Sequence, residues 1–524
     1  MKIKSTLLCV VFALVIGATE KVNGQVPGWE WAKSAGATHS DQGFGLAVDN
    51  SGNCYVTGYF SSTTITFGAT TLTNHGVTGR RDVFIVKYDA AGNPVWARSA
   101  GSTSEDYGYS VAIDNSGYIY VRGIFSDSIT FDSTTLYGGG SFVVKYDFSG
   151  NVMWTKMLGG YSYGGIATDS YGNFYLPGKN SGNIMLSKFD SSGNLIWNNI
   201  VIGVWTFDVA VDVNDNVYVT GLFDKDSITI GTTTITSFGD NDVFTAKYDS
   251  AGNFIWASGG GGIDTDWGRG IAVDSAGNCY ITGETLSNSM LFGNVTLNSS
   301  LYIVKYDTMG NVAWARGDAG IISGADISTD ANSNVYVTGS FLGNIVFGNT
   351  TLNNNGNVDV FVASFDSFGN ALWATNAGGL HNSFSHCIVV DLGGNSYVTG
   401  WFADSAMNFG NHTLMNGSLF QKEDMFVAKL SASIPTAISL VNKLSTNLNI
   451  YPNPATKFLT IDFVSNQNKA EVTIVDITGK IIYFSTSMAT QKMYVSTKDF
   501  AAGLYIVQVQ GEDFMETRKI VVEK

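Results

Sequence analysis

The chain has 524 residues and a formal net charge of −15, and 14% of its residues are charged. Such an acidic chain is a poor match for nucleic acid or anionic lipid, because phosphate binding requires clustered Lys and Arg. The chain also has 61 Gly, only 6 Pro and 13% aromatic residues. This composition predicts many short strands joined by tight turns rather than disorder.

The N-terminal residues 1–24 have the features of a secretory signal peptide. Lys2 and Lys4 supply a positive start, and an apolar run follows from Leu7 to Ile16. That run is too short to span a bilayer, which takes about 20 residues. No other stretch is long and apolar enough, so we expect a mature protein that begins near Gln25 and has no transmembrane segment.

A motif with fixed internal spacing recurs along the chain: an Asp, five residues, a Tyr, two residues and a Gly. Successive copies begin 43 to 65 residues apart. This period is too long for one coil of a β-helix and suits a four-stranded propeller blade. The seven copies are Asp49/Tyr55/Gly58, Asp114/Tyr120/Gly123, Asp169/Tyr175/Gly178, Asp212/Tyr218/Gly221, Asp274/Tyr280/Gly283, Asp330/Tyr336/Gly339 and Asp391/Tyr397/Gly400.

A second motif follows in each of the first six units, where an alternating apolar run leads to an Asp and a Trp stands seven residues later. Both motifs contain Asp, Gly and Asn, which suit tight turns: Asp accepts backbone N–H groups, and Gly or Asn adopts a positive φ. We therefore predict four strands per unit, with the Tyr on the second and the Trp on the fourth. The pairs are Asp89/Trp96, Asp147/Trp154, Asp190/Trp197, Asp249/Trp256, Asp307/Trp314 and Asp366/Trp373.

The segment between the second and third strands varies in length. Most units hold a short motif here, such as Ile65-Thr-Phe-Gly68 with Thr71-Leu72, which predicts an extra hairpin. The third unit has only 12 residues from Gly178 to Asp190 and lacks the motif. Its second strand also contains Pro177, which counts against regular pairing.

The two ends of the repeat array are complementary. The seventh unit stops at Met425–Leu430 without a Trp strand, whereas Trp29–Gly36 near the N-terminus matches Trp96–Gly101. We therefore predict that the N-terminal segment supplies the fourth strand of the last unit and closes a ring of seven blades. Closure removes exposed strand edges.

These motifs resemble the bacterial β-propeller repeat family of secreted proteins, over residues 29–430. The Asp-x-x-Gly-Asn-x-Tyr-Val-Thr-Gly and Lys-Tyr-Asp-x-x-Gly-Asn-x-x-Trp patterns carry the resemblance. It implies a seven-bladed β-propeller over residues 25–430 and brings no established activity.

A different pattern follows a short linker, residues 431–447. Residues 448–524 contain Tyr451-Pro-Asn-Pro454, Thr478-Gly-Lys480 and Gly503-Leu-Tyr505 among alternating strands, which predicts a small β-sandwich. The series resembles the C-terminal sorting domain of the type IX secretion system. The resemblance implies that the type IX machinery is a partner, and that the protein is exported across the outer membrane to the cell surface or beyond it.

Three repeated features have a structural and a functional interpretation. The turn Asp residues could ligate Ca²⁺, but each turn offers one Asp and one Asn where Ca²⁺ prefers six to eight oxygens, so hairpin capping is favoured. The Trp and Tyr residues are expected to pack between blades and in the core. Cys54, Cys279 and Cys387 form no evident pair and are expected to be free thiols.

The links between blades vary in sequence, and scaffolds usually keep recognition on such loops. The fourth-to-first links and the hairpin insertions share one face of the ring, and the invariant turns share the other. We predict a ligand site on the variable face across blades 7, 1 and 2, and a second candidate in blade 5. The residues are His39, Asp41, Asp106, Tyr107 and His381 in the first sector, and Asp264, Asp266 and Trp267 in the second.

Aromatic rings beside carboxylates suit a sugar or a cationic peptide, and the two histidines leave a metal as an alternative. No Ser/His/Asp order, phosphate loop or His-x-x-x-His spacing occurs in the sequence. We therefore expect a monomeric binding or adhesion module with a carbohydrate or protein ligand and no required cofactor. A polysaccharide hydrolase or lyase and a purely structural envelope protein are the alternatives.

Overall fold

The computed structural model describes residues 26–76, 79–158, 160, 163–180, 183–318, 321–417, 422–432, 448–476, 481–510 and 515–524. The predicted signal peptide and most of the predicted linker lie outside the described residues. The chain divides into two compact units, residues 1–436 and 437–524. The regular elements of the described residues are all β-strands, which confirms the all-β fold class.

The first unit is built from four-stranded antiparallel meanders, which we call blades. A lone strand, β1 (Trp29–Ala35), precedes them. Blade 1 contains β2 (Asp41–Val48), β3 (Cys54–Phe60), β4 (Thr64–Phe67), β5 (Thr70–Thr73), β6 (Asp82–Tyr88) and β7 (Pro94–Ala100). Blade 2 contains β8 (Asp106–Ile113), β9 (Ile119–Phe125), β10 (Ser128–Phe131), β11 (Thr134–Tyr137), β12 (Gly140–Tyr146) and β13 (Val152–Met157).

Blades 3 to 5 continue the order, and blade 3 has no inserted hairpin among its described residues. Blade 3 contains β14 (Ala167–Thr168), β15 (Phe174–Asn180), β16 (Asn183–Phe189) and β17 (Leu195–Ile202). Blade 4 contains β18 (Val204–Val211), β19 (Val217–Phe223), β20 (Ser227–Ile230), β21 (Thr233–Thr236), β22 (Asp242–Tyr248) and β23 (Phe254–Gly262). Blade 5 contains β24 (Asp266–Val273), β25 (Cys279–Thr285), β26 (Met290–Phe292), β27 (Val295–Leu297), β28 (Leu301–Tyr306) and β29 (Val312–Asp318).

The last two blades differ in how their fourth strand is supplied. Blade 6 contains β30 (Ile321–Thr329), β31 (Val335–Phe341), β32 (Ile345–Phe347), β33 (Thr350–Leu352), β34 (Asp359–Phe365) and β35 (Ala371–Ala377). Blade 7 contains β36 (Ser383–Val390), β37 (Ser396–Phe402), β38 (Ala406–Phe409), β39 (His412–Met415) and β40 (Asp424–Leu430), and its outer strand is β1.

The N-terminal strand pairs with the seventh blade, as the sequence predicts. Strand β1 runs antiparallel to β40, with Ala35 opposite Met425. Within the ring, the first strand of each blade lies beside the first strand of the next, and β36 of blade 7 lies beside β2 of blade 1. Leu46 and Val56 of blade 1 share one buried cluster with Tyr397 and Met425 of blade 7. The first and last blades therefore pack together as neighbours.

The turn motif is explained by one carboxylate. Asp274 accepts the backbone N–H groups of Ala276 and Asn278 on Oδ1, and the Asn278 side chain and the Tyr280 hydroxyl on Oδ2, all at 2.9 to 3.0 Å. Gly277 takes a φ of +82° in this turn. The Asp-to-Tyr spacing thus places the hydroxyl of a fully buried ring on the turn carboxylate.

The outer-strand Trp residues join neighbouring blades. Trp31 donates its indole N–H to the Ala90 carbonyl in the third-to-fourth-strand turn of the next blade, at 3.1 Å. Five more outer-strand Trp side chains make the same bond, and their donor–acceptor pairs are Trp96/Phe148, Trp154/Ser191, Trp197/Ser250, Trp256/Thr308 and Trp314/Ser367. The repeated Trp residues therefore pack between blades, as predicted.

The inserted hairpins cover the outer strands. Ile65, Phe67 and Leu72 of the blade 1 hairpin are buried, and this hairpin contacts β7. The blade 5 hairpin is even hydrogen-bonded to β23 of blade 4, which makes that sheet six-stranded. Without a hairpin in blade 3, the outer strand β17 leaves Leu195, Ile196, Ile200 and Ile202 more than half exposed.

The second unit is a sheet of five strands around its own core. Its long strands β42 and β43 run on through an irregular stretch between Asp462 and Gln467, and residues of both halves of β42 enter one buried cluster. The predicted small sandwich is thus a single five-stranded sheet with one buried cluster among the described residues. The strands are β41 (Leu448–Tyr451), β42 (Phe458–Asp476), β43 (Ile481–Ser496), β44 (Gly503–Gln510) and β45 (Met515–Val522).

Candidate functional site

The first strands line the axis of the ring, and most of them carry a β-bulge. In six of them the pairing skips one residue: Phe44, Tyr109, Phe207, Arg269, Ala325 and His386. A bulge re-aims side chains and is frequent beside binding sites. Five of these six residues line a cavity of about 140 Å³, to which six blades and the link to blade 3 contribute.

Aromatic side chains that line this cavity or lie beside it form a continuous set of ring contacts, which we call the aromatic belt. Its members come from blades 7, 1 and 2 and from the link to blade 3: His386, Phe44, Tyr59, Tyr107, Tyr109 and Tyr163. Phe44 stacks on His386 with centroids 4.3 Å apart and packs edge-on against Tyr109 at 5.5 Å. Tyr163, at the end of the belt, is 59% exposed.

A charged group lies against one side of the aromatic belt. The Arg81 guanidinium lies 4.9 Å from the ring centroid of Tyr59 and 5.3 Å from that of Tyr107, within cation–π range. Arg81 also donates to the Tyr107 hydroxyl and to Glu105, each at 2.9 Å. Although burial opposes it, hydrogen bonds from Arg80 and Arg81 hold the pKa of Glu105 below its usual value.

A smaller group of aromatic side chains lies across the propeller axis, in blades 4 and 5. The guanidinium of Arg269 lies over Phe207 of blade 4 at 5.2 Å and over Trp267 of blade 5 at 5.4 Å, and it is held by Glu284. Trp205 of blade 4 is 44% exposed.

The polar groups of the cavity mainly hold the first strands together. Asp208 accepts the Ile271 N–H of the next blade at 3.0 Å, and Asp326 accepts the Ile388 N–H at 2.9 Å. Burial raises the pKa of both carboxyls, and their mutual repulsion adds to the increase for Asp208. Burial also lowers the pKa of His386 to about 4, so this ring is neutral at physiological pH.

Two of the predicted site residues in the first sector are accessible on the variable face, and Tyr107 belongs to the aromatic belt. His39 is half-buried, and its ring nitrogen lies 3.0 Å from the Thr38 hydroxyl. His381 is also half-buried, and its backbone N–H contacts Asp404. Among the described residues, no group of three or more His, Cys, Asp or Glu side chains is placed to hold a metal ion.

The predicted carboxylates behave differently from one another. Asp264 is exposed, whereas Asp41, Asp106 and Asp266 have no exposed surface. Asp41 accepts the backbone N–H groups of Ala37, Ser61 and Ser62 and the Ser62 hydroxyl. The three buried carboxylates therefore fasten the links between strands and do not present an oxygen to a ligand in this structure.

Sequence reasoning missed most of the aromatic belt. The positions of Phe44, Tyr109 and His386 vary from blade to blade, and only the bulges turn them toward the axis. Tyr59 and Arg81 lie on the second and third strands, outside the links that the sequence singled out. One signal was present: the residue after the start of the first strand is aromatic in several blades, as in Tyr107, Trp205, Trp267 and Phe384.

Cys54, Cys279 and Cys387 are free thiols, as expected. Cys54 and Cys279 are buried, and Cys387 lies at the cavity beside Asp326. Burial raises the pKa of all three thiols.

The four-stranded antiparallel sheets packed around one axis define a β-propeller. The profile of the β-propeller repeat family SBBP matches residues 30–59 and 259–289, and that of a secretion system C-terminal sorting domain matches residues 449–523. The chain therefore contains β-propeller repeats of the SBBP type and a C-terminal sorting domain. That domain marks proteins exported by the type IX system to the cell surface or the extracellular space.

Two relatives of this chain match it over less than half of their own length. An uncharacterized WD repeat-containing protein, L264 of Acanthamoeba polyphaga mimivirus, is 24% identical over 78% of this chain and 39% of its own length. The regulatory protein FlaEY of Caulobacter vibrioides is 31% identical over 22% of this chain and 13% of its own length.

Solved propellers align with a large share of the chain at low identity. The WD40 repeats of RRP9 cover 78% of this chain and 99% of their own, at 8% identity and a TM-score of 0.43. The Pan2 WD40 domain of Neurospora crassa covers 77% of this chain and 98% of its own, at 8% identity and a TM-score of 0.40. Among the described residues, no helix is long and apolar enough to cross a membrane.

Proposed function

We propose that this protein is an exported binding or adhesion module whose aromatic belt takes a carbohydrate or protein ligand. The observation that carries the proposal is the run of ring contacts from His386 through Phe44 and Tyr109 to Tyr163 around the axial cavity. Exposed aromatic faces stack on the apolar faces of sugars and of other side chains. The adjoining Arg81, Glu105 and Tyr107 side chains supply hydrogen-bonding groups that fix orientation.

The carboxylates of the cavity favour binding over catalysis. General acid–base chemistry needs a carboxyl group within hydrogen-bond reach of the substrate. Asp208 and Asp326 instead accept backbone N–H groups of neighbouring blades. Their arrangement supports a scaffold role, and the hydrolase or lyase alternative is retained as an outcome of the test.

The test is a glycan array and a peptide array probed with the mature full-length protein and with three variants. Tyr107→Ala removes a belt ring and should weaken binding of any hit by about tenfold or more, roughly 1.4 kcal/mol. Tyr171→Ala is the matched control, because Tyr171 is 80% exposed and lies in a first-to-second-strand turn on the opposite face. Trp267→Ala tests the second sector.

Each hit is also incubated with the protein and assayed for cleavage products. Loss of binding in Tyr107→Ala with unchanged binding in Tyr171→Ala supports the belt as the site. Equal loss in both variants, or loss in Trp267→Ala alone, moves the site elsewhere. Multiple turnovers of product per protein molecule would replace the binding proposal with the enzymatic one.

A further inference from the structure

Four pairs of buried aspartates lie where the third strand of one blade meets the next blade, and we call them the junction pairs. Each has a first member at the start of a third strand and a second member in the neighbouring blade. All eight side chains are at most 2% exposed. The pairs are Asp82 with Asp106, Asp242 with Asp266, Asp359 with Asp404 and Asp424 with Asp41.

In every junction pair, at least one buried carboxylate oxygen has no hydrogen-bond partner among the described residues. In Asp82 one oxygen accepts the His75 N–H at 2.7 Å, and in Asp106 one accepts the Ser102 N–H at 2.9 Å. The remaining oxygen of each is buried and unsatisfied. The other unsatisfied oxygens belong to Asp242, Asp359, Asp404 and Asp424. Leaving such an acceptor bare is costly, so each pair is expected to hold a positive species or a donor.

The aspartates occur in pairs or not at all. Blades 2, 3 and 5 have Gly140, Asn183 and Ser300 where Asp82 stands in blade 1. In the sequence, the blades that follow them have Tyr161, Val204 and Ile322 where Asp106 stands. Blade 7 has Ser383 at that position, and Asp404 supplies the carboxyl group there instead.

Two ionised carboxylates in a buried site repel each other, so a second aspartate beside the first is unfavourable unless something binds between them. Their co-occurrence at four junctions, three of which use the same two sequence positions, indicates that each pair has a common occupant. A proton needs only two oxygens, whereas Ca²⁺ needs six to eight. Most oxygens of the pairs already accept N–H or hydroxyl groups, and Asp242 and Asp266 lie within hydrogen-bonding distance of each other.

We propose that each junction pair binds one proton in the folded state, held in a hydrogen bond between the two carboxyl groups. The proton comes from solvent during folding and joins adjacent blades. The ring is then fastened at four of its seven junctions by bonds that exist only while the proton is present, so the propeller loosens in alkaline medium.

The surroundings of the pairs agree with a shared proton. Burial raises the pKa of Asp106 to about 8, that of Asp424 to about 7, and those of Asp41 and Asp266 to about 6. The basic side chain in contact with a pair among the described residues is His75, whose ring nitrogen lies 2.7 Å from Asp82. Tyr302, with Arg269 and Glu284 near it, faces Asp266.

The sign of the pH effect follows from these raised values. Between the unfolded value of 3.8 and the folded values, the folded state holds protons that the unfolded state has released. The stability that the pairs contribute is therefore fully present below about pH 4 and is lost as the pH rises through about 6 to 8.

The first experiment measures the protonated carboxyl group directly. The infrared spectrum of the folded protein at pH 7 should contain a carboxylic acid C=O band that disappears above pH 9. In Asp106→Asn this band should lose a quarter or more of its intensity, because one of four pairs is removed and Asp106 has the highest of the raised pKa values. The Asn amide keeps the hydrogen bond to Asp82. Asp264→Asn, an exposed neighbour of Asp266, should leave the band unchanged.

The second experiment measures melting temperature from pH 5 to pH 9, with and without EDTA or CaCl₂. The melting temperature of the unmodified protein should fall by about 5 °C or more over this range, and that of Asp106→Asn should fall by less. The same difference should be seen when both proteins also carry His75→Asn, which removes the titratable ring beside Asp82. A spectrum without a carboxylic acid band at pH 7 would overturn the proposal. A calcium-dependent melting temperature would also overturn it. If CaCl₂ raises and EDTA lowers the melting temperature of the unmodified protein but not that of Asp106→Asn, a divalent cation occupies the pair.

Discussion

Aspartate side chains differ in protonation between the two faces of this propeller. In the turns they are ionised acceptors: hydrogen bonds from Asn278 and Tyr280 outweigh burial and hold the pKa of Asp274 below its usual value. At the blade junctions, burial and a second carboxyl group raise the pKa. The same residue type is therefore charged on the turn face and proton-binding on the link face.

The turn carboxylates should be important for stability. Asp274→Ala removes four hydrogen bonds and leaves the buried Tyr280 hydroxyl and two backbone N–H groups without their acceptor. We expect a loss of about 2 to 4 kcal/mol in the free energy of unfolding, measured by urea denaturation at pH 7. In the unmodified protein this contribution is present above pH 3.8 and is lost as the pH falls below it, because the folded pKa is depressed.

Asp264→Ala serves as the control for that measurement, since Asp264 is exposed and should change stability by no more than about 0.5 kcal/mol. Equal stability of the two variants would show that the turn carboxylate is dispensable.

The sequence predicts some of these residue roles better than others. The Asp-to-Tyr and Asp-to-Trp spacings recur in register, so turn capping and inter-blade packing follow from them. Asp41, Asp106 and Asp266 were predicted to contact a ligand because the residue at this repeat position varies from blade to blade and is often polar. Their partners lie at the start of the third strand of the preceding blade, and only the folded ring brings these two repeat positions together.

Strand β1 shows how much depends on one element. It covers the edge of β40, and Trp31 packs against Tyr88 of blade 1 and Tyr397 of blade 7. Deleting residues 29–35 from the mature protein should expose this edge, lower the melting temperature and promote aggregation. Calorimetry and light scattering measure both effects.

A deletion of equal length at 513–519 in the sorting domain serves as the comparison, because it should leave the melting of the propeller unchanged. If the chain without residues 29–35 melts like the intact protein, pairing with β40 contributes nothing to stability.

The predictions for individual strands and hairpins are confirmed where they depend on a short, local sequence pattern. The sequence predicts four strands per unit, the extra hairpins and their absence from blade 3. It does not predict the bulges, because a skipped residue in a strand has no fixed sequence signature. Nor does it predict the pairing of β26 with β23, which depends on how close neighbouring blades approach. Pro177 proved compatible with regular pairing, since β15 continues through it opposite Leu186.

For the whole molecule, the two units have separate tasks. The propeller unit contains its own buried clusters, and those of residues 448–524 are distinct from them. A chain ending at Leu430 should therefore fold, with a melting temperature within about 2 °C of the propeller transition in the full chain. In its native host it should accumulate in the periplasm, measured by fractionation and immunoblotting against the full-length protein. Surface display of the truncated chain at normal levels would contradict the sorting role.

The pairing of β1 with β40 also sets the order of events in time. Nearly 400 residues separate the two strands, so β1 leaves the ribosome first and can pair only after β40 has been made. The entropy of joining such distant segments grows only slowly with length, by about 0.6 kcal/mol for each doubling. The search itself is slow, because non-local pairing delays folding. A newly made chain thus passes through a stage with blades formed and one seam open, and that stage is the point at which a chaperone or a second copy of the chain can intervene.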